Sequence, residues 1–341
     1  MNQCYRKELY ILGIESSCDD TCAAVVGDGR NVLSNVVASQ HEIHEKYGGV
    51  VPELASRRHI EMIDIIIGEA ILRSGLALDD IASVAVTNRP GLVGSLLVGA
   101  GAAKAIAYAK KIPLIAINHL KAHLFSNMLI KPDMGAGFIG LIVSGGHSSL
   151  YKVDHDWTIS EIGHTVDDAA GEAFDKIARF LELGYPGGPV IDRLAKQGRA
   201  GAVLMPRPML ESGDFNFSFS GLKTAVIYKV RKDPAIKKPE NIVDLAASFQ
   251  EAVAEVLVEK TVRAAKRFGY NRILVSGGVA ANSRVRELFA QRAEAENIEL
   301  FIPPLYLCMD NAAMVACLGY HEYVAGNFAP PTMDVYSRSD I

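Results

Sequence analysis

Tryptophan occurs once in these 341 residues, and the five cysteines (4, 18, 22, 308 and 317) form no C-x-x-C pair. That spacing excludes a disulfide framework or a zinc ribbon as the staple of the fold, and it fits a reducing cytoplasm. An excess of charge is missing too: 35 Lys and Arg face 39 Asp and Glu, a formal net charge of -4. No global basic field draws nucleic acid, so an RNA partner has to use a local patch or a basic subunit. The opening residues Met-Asn-Gln-Cys-Tyr-Arg-Lys-Glu lack the apolar core of a signal peptide. The longest apolar stretch, near 91–109, is broken by glycines and Lys104. It reads as a buried helix rather than a membrane span.

What is present is one phrase written twice. Leu141-Ile142-Val143-Ser144-Gly145-Gly146 and Ile273-Leu274-Val275-Ser276-Gly277-Gly278 are apolar runs cut off by Ser-Gly-Gly. Runs of this kind predict strands buried on both faces. The glycines free the backbone and let a ligand approach its N–H groups. The natural ligand is an anion, most often a phosphate, expected to be clamped from two sides.

Length and an ordinary globular composition predict two domains or one large α/β unit. Strands are expected at Leu9–Ile14, Cys22–Val26, Asn31–Gln40, Ile81–Thr87 and Pro113–Asn118. Helices are expected at Val51–Leu72, Gly91–Ala109 and His119–Leu129. Lys131–Gly137 has the composition of a linker, after which strand, polar turn and strand (138–143, Ser149–Val153) repeat the opening pattern. Asp168–Leu183, Ile242–Phe268, Asn282–Glu296 and Asn311–Tyr323 read as helices, the last crossing back onto the first half. Phe215–Lys223 alternates aromatic and polar residues and reads as a strand with one aromatic face, or less readily as a stacking platform. A duplicated α/β unit follows from the two hairpins.

His119 and His123 lie one helical turn apart, a spacing that suits two ligands of one metal ion; two plain helix-start histidines are the alternative. Asp310 is the best third ligand, although an Asp just before a helix is ordinarily an N-cap. Cys308 is a rival ligand or simply a buried thiol. A zincin would need H-E-x-x-H, and Leu120 stands where its glutamate belongs, which argues against peptide hydrolysis. Asn282 is placed either to meet a base or ribose or to cap the helix it begins. Asp175 either holds ribose hydroxyls or pairs with Arg179, and Asp192 ends the Gly-Pro turn 184–189. Arg57-Arg58 and Lys229–Lys232 read as solvated faces that could touch phosphates.

In combination and order, these motifs resemble the TsaD family. The matching segments are Gly13–Thr21, His119-x-x-x-His123, Val143–His147, Ala173–Lys176, Tyr185–Pro189, Phe219–Lys223, Val275–Asn282 and Asp310–Ala312. The resemblance covers nearly the whole chain. It implies the actin/Hsp70/sugar-kinase (ASKHA) α/β fold, two related domains around a nucleotide cleft: 8–130 plus about 305–326, then 131–304, with 327–341 as a tail. It implies transfer of the threonylcarbamoyl group from threonylcarbamoyl-AMP to N6 of adenosine 37 in tRNAs reading ANN codons, with release of AMP. It implies one divalent ion, iron before zinc, on His119, His123 and Asp310. The adenylate, or ATP, ADP or AMP, would lie against Ile142, Val143, Ser144, Gly145, Gly146, Asp175, Gly188, Asp192 and Asn282. Implied partners are tRNA, a TsaB paralogue, the P-loop ATPase TsaE and an upstream TsaC-type synthase. No residue identifies itself as a general base; His147 and Asp19 are the candidates. The chain departs from the family pattern twice. Lys121-Ala122 replaces Glu-Gly between the histidines, and Arg89 replaces the first glycine of Gly-Pro-Gly-Leu. Rival readings are an ASKHA-type ATPase or kinase-like protein, a metallopeptidase, and a non-catalytic scaffold, which the intact ligand set and both glycine turns disfavour.

Overall fold

The structure is a computed structural model and describes residues 8–338; Cys4 and the rest of the first seven residues, and the last three, lie outside it. In chain order the strands are β1 (Tyr10–Glu15), β2 (Asp20–Gly27), β3 (Asn31–Ser39), β4 (Ile81–Arg89) and β5 (Leu114–Asn118). They continue as β6 (Phe138–Val143), β7 (Ser148–Val153), β8 (Ile159–His164), β9 (Arg272–Ser276) and β10 (Glu299–Phe301). The first helices are α1 (His41–Glu45), α2 (Pro52–Ser74), α3 (Val93–Lys110) and α4 (His119–Phe125). Then come α5 (Ala170–Phe180), α6 (Gly187–Ala195), α7 (Ser220–Lys232) and α8 (Pro239–Phe268). The last are α9 (Ser283–Ala295), α10 (Leu305–Cys308) and α11 (Ala312–Ala325).

Two compact units result: one runs up to Met134 and resumes at Met309, the other is Gly135–Cys308. Their sheets have the same plan. In the first unit the order is β3-β2-β1-β4-β5, with β1–β2 and β2–β3 antiparallel and β1–β4 and β4–β5 parallel. In the second, β8-β7-β6-β9-β10 repeats that order and those directions. The duplication therefore relates the two opening hairpins. The two Ser-Gly-Gly phrases are not its copies. They end β6 and β9, neighbouring parallel strands in which Ile142 pairs with Ser276. Both turns accordingly open at one edge of a single sheet, not from opposite sides.

In the first unit, Leu12 and Ile14 point to the core they share with α2 and α3. The alternate residue Gly13 faces α11, and a Cβ there would collide with Ala312 O. The period of two along β1 thus serves both faces of a buried sheet. Residues Ala312–Gly319 of α11 are buried all round, as a helix between core elements requires. The stretch expected as a tail is packed: Ala329 bridges Leu114, and Met333 and Val335 enter the core. Two apolar side chains in a polar segment supply the reason.

In the second unit α8 packs against α6, α9, β6 and β9. Pro239 starts it, and Gly269 in the left-handed region (φ 73°) ends it. The aromatic run at 215–223 is not a strand. Phe217 makes one isolated bridge to Thr165, and Ser220 already opens α7, where the Asp167 carboxylate accepts from the Phe219 and Ser220 N–H groups. Phe217 and Phe219 are buried in the core. Capping by an acid distant in sequence overrode the local alternation. Among the described residues no helix is long and apolar enough to cross a membrane.

Candidate metal centre and nucleotide loops

The first unit gathers its chemistry at the carboxyl ends of β1, β4 and β5, where open α/β sheets place ligands. Asn118 ends β5 and caps α4, its Oδ1 accepting from the Leu120 and Lys121 N–H groups at 2.9 and 3.2 Å. The helix therefore begins at His119, and His123 follows one turn later, with ring centroids 4.6 Å apart. On α11 it is Asn311, not Asp310, that caps, accepting from Met314 N–H at 3.0 Å. The Asp310 carboxylate turns instead to the histidines: its Oδ1 lies 3.1 Å from His123 Nε2 and 3.5 Å from His119 Nε2. The two Nε2 atoms are 3.2 Å apart. Cys308 is not one of these donors; its thiol donates to Pro303 O and is approached by Arg286.

Glu15, wholly buried at the end of β1, sets the chemistry of this cluster. Its Oε2 is 2.9 Å from His119 Nδ1 and accepts from Thr87 Oγ1 at 2.6 Å, while Oε1 accepts from Ser17 N–H at 2.6 Å. A proton on Nδ1 of His119 leaves the lone pair of Nε2 pointing at His123 and Asp310. Three electron-pair donors, all within 4.8 Å of one another, then face one point. Such a set repels itself unless a cation or a proton sits among the donors. A carboxylate behind a ligating histidine is the usual support of a metal site. The three residues fit a divalent metal ion of the imidazole- and carboxylate-binding kind, iron and zinc among them.

The electrostatics agree. Burial disfavours a charged His119, but the Glu15 and Asp310 carboxylates outweigh it and lift His119 to about 9. Burial pushes His123 down, and its Nδ1 has no hydrogen-bond partner among the described residues. Burial opposes the charge of Glu15 as well, yet His119 holds it below the usual carboxylate range. Asp20, at the start of β2, is pushed up to about 7 by burial and by Asp310 and Asp19. Asp19 lies half-buried in the β1–β2 turn. His59 of α2 braces the same turn, with Nδ1 2.8 Å from Thr21 Oγ1 and Nε2 3.1 Å from Cys18 O. Sequence reasoning gave no role to Glu15, Asp20, Thr87 or His59. The signal available was the acid directly after a buried strand, Gly13-Ile14-Glu15.

The second unit carries the glycine loops. Ser144–His147 closes the β6–β7 hairpin, Ser144 N–H donating to His147 O at 2.8 Å. Ile142 and Val143 are buried strand, whereas Gly145 and Gly146 are exposed, and a Cβ on either would meet open space. Gly277, with φ 93°, packs on the Val143 carbonyl and admits no side chain. A short 3-10 turn, Gly278–Ala281, separates it from α9. Asn282 caps that helix, accepting from Arg284 and Val285 N–H at 3.1 Å, and donates to Gln250 at 2.8 Å. The Asp175 carboxylate accepts from Gly187 N–H at 2.7 Å. Gly187 is pressed against Phe174 and Asp175, while a Cβ on Gly188 would stand clear. Asp192 holds the start of α9, accepting from the Ser283 hydroxyl at 2.6 Å. Asp175, Asp192 and Asn282 thus frame the loops with bonds of their own.

The chain matches the family TsaD: tRNA N6-adenosine threonylcarbamoyltransferase over residues 31–317. It is 50% identical to the tRNA N6-adenosine threonylcarbamoyltransferase of Syntrophomonas wolfei over 330 residues, 97% of each chain. The enzyme of the same name from Geobacter sulfurreducens is 52% identical over 311 residues, 91% of each. Among solved structures, HypF of T. kodakarensis superposes with a TM-score of 0.62 at 16% identity, covering 95% of this chain and 49% of that one. The activator of 2-hydroxyisocaproyl-CoA dehydratase from Clostridium difficile, with bound ADPNP, gives 0.54 at 17% identity, covering 93% and 97%. These two likenesses establish the ASKHA fold. With that fold and near-complete relatives at half identity, the chain belongs to the TsaD family, the acyltransferases that modify tRNA as N6-adenosine threonylcarbamoyltransferases.

Proposed function

We propose that this chain carries out the family reaction with its first unit holding a metal ion and its second unit holding the adenylate of threonylcarbamoyl-AMP. The observation that carries the reading is the convergence of His119 Nε2, His123 Nε2 and Asp310 Oδ1, with Glu15 behind His119. The acyl carbonyl of a mixed anhydride is already activated, whereas the N6 amine of adenine is a weak nucleophile. Holding the two together and stabilising the developing charge is therefore the enzyme's main task. A divalent ion, iron before zinc, would supply Lewis-acid polarisation and a template when bound. Glu15 keeps His119 in the tautomer that presents Nε2.

The amides of Gly145 and Gly146 would face the phosphate, with Ser144, whose own N–H closes the hairpin on His147 O, and the Ile142–Val143 strand seating them. Asp175 would shape the turn that carries Gly188, and Asp192 and Asn282 would define the adenosine side at the start of α9. The N6–carbonyl bond forms, the carbonyl–phosphate bond breaks, AMP leaves with the electron pair and the amine gives up a proton. His147 and Asp19 are the candidates to receive that proton. The tRNA, a TsaB-type paralogue, a TsaE-type ATPase and a TsaC-type synthase in the cytoplasm complete the proposed setting.

The test supplies synthetic threonylcarbamoyl-AMP, unmodified tRNA and the partner proteins, and reads modified adenosine 37 by nucleoside mass spectrometry. Transfer should vanish in H119A/H123A while its circular dichroism stays that of the parent. Full transfer by the metal-free double variant would refute the reading.

A further inference from the structure

A second concavity in the first unit, of about 220 Å³, lies beyond the metal ligands. Asn88, Arg89, Lys121 and Glu322 are its polar walls, with Ala116, Asn118 and Leu318. It is smaller than the ~300–1,000 Å³ clefts that bury drug-sized ligands, so it suits one compact group rather than a nucleotide. Two cations meet in it from separate elements. Arg89 ends β4, and its guanidinium lies over the Tyr336 ring, 5.0 Å from the centroid. The Tyr336 backbone N–H donates to Asn88 O at 2.9 Å, which ties that residue's main chain to the end of β4. Lys121 stands on α4 between the two histidines, and its ammonium has no hydrogen-bond or ion-pair partner among the described residues. The single acid, Glu322, accepts from Asn327 Nδ2 at 2.6 Å.

We propose that Arg89 and Lys121 form a phosphate subsite that takes a backbone phosphodiester of the tRNA. The proposal rests on the tRNA-modifying reading above. Two half-buried cations and one acid leave a net positive pocket. A guanidinium resting on an aromatic face has planar N–H donors that suit phosphate oxygens, and the lysine adds a point charge. In a chain of net charge -4, whatever contacts the chain itself makes to RNA come from local patches.

The experiment measures binding of an unmodified tRNA transcript to the full chain, assembled with its partner proteins, at a series of KCl concentrations. R89Q and K121Q should each weaken binding about threefold to tenfold and lower the slope of log K against log salt by about 1. E322Q should tighten binding. R89K/K121R, which disturbs packing but keeps both charges, should retain the parental slope. Parental affinity and slope in R89Q/K121Q, or equal loss in both double variants, would overturn the proposal. A titration with inorganic phosphate separates the sources. If phosphate binds the parent and not R89Q/K121Q while tRNA binding is unchanged, the pocket takes a free anion and the tRNA assignment fails. Parental transfer activity is read in parallel: its absence would defeat the functional reading, whereas its presence beside unchanged tRNA binding would defeat only the subsite.

Discussion

Replacing Glu15 by Gln keeps the volume of a fully buried side chain and removes the charge behind His119. Glu15 accepts three hydrogen bonds, from His119, Thr87 and Ser17, and an amide offers only one acceptor oxygen for them. Loss of such an outer-shell partner costs about 10–100-fold in metal affinity, or ~1.4–2.7 kcal/mol. A second effect opposes the first. Glu15 and Asp310 overcome burial and hold the His119 proton until pH is about 9, so below that pH an incoming metal has to expel it. At pH 7 this removes about two decades of apparent affinity (9 − 7 = 2). The parent should therefore gain about tenfold in affinity per pH unit from 7 upward and level off near 9. The same proton stabilises the metal-free fold below the ordinary value of 6.5, and that stability is lost as pH rises through about 9. In E15Q the His119 proton is held less tightly, so the climb should flatten. At pH 7 the two effects largely cancel. At pH 9 only the lost orientation remains, and E15Q should bind about tenfold more weakly. Zinc titration against a chromophoric chelator at pH 7, 8 and 9 measures both quantities. Parental affinity at pH 9 together with the parental pH slope would show that Glu15 neither orients nor charges His119.

N311A should cost about 1 kcal/mol in denaturant unfolding through the lost cap of α11, and it should weaken zinc binding because Asp310 precedes that cap; N311S should restore both. G277A forces a side chain into a left-handed residue against the Val143 carbonyl, and its unfolding free energy should fall by more than ~1 kcal/mol. G188A, whose Cβ would meet open space, should unfold within ~0.5 kcal/mol of the parent yet bind AMP more weakly by calorimetry. Burial depresses His59 below 6.5, so its contribution to stability is present above 6.5 and lost as pH falls; thermal melts from pH 7.5 to 5 should show a shallower acid limb in H59Q.

Local pattern carried far in this chain, and it failed where a distant partner decides. The buried runs of β1, β6 and β9 were legible because strands covered on both faces have to be apolar throughout. The histidine pair was legible because helical spacing alone puts two imidazoles on one face. Helix α7 was not, since its start depends on Asp167, some fifty residues away. Asp310 shows the limit most clearly. Sequence left it balanced between helix cap and metal ligand, and the outcome turned on its neighbour: Asn311 takes the capping bond, so the carboxylate can face the histidines.

The twice-written phrase is the converse case. Its likeness suggested a ligand clamped from two sides, yet its copies are adjacent strands of one sheet. The true duplication, of hairpin and sheet order, has little sequence identity to show. Strand order is fixed by which apolar faces are covered, and many sequences satisfy that. A Ser-Gly-Gly ending is fixed by what a turn at the carboxyl edge has to allow: Gly277 has no room for a side chain, while a Cβ on Gly145 or Gly146 would meet open space. The first glycine is demanded by the fold. The exposed pair is not, which leaves those glycines free for the close approach of a ligand that the phosphate reading assigns to them.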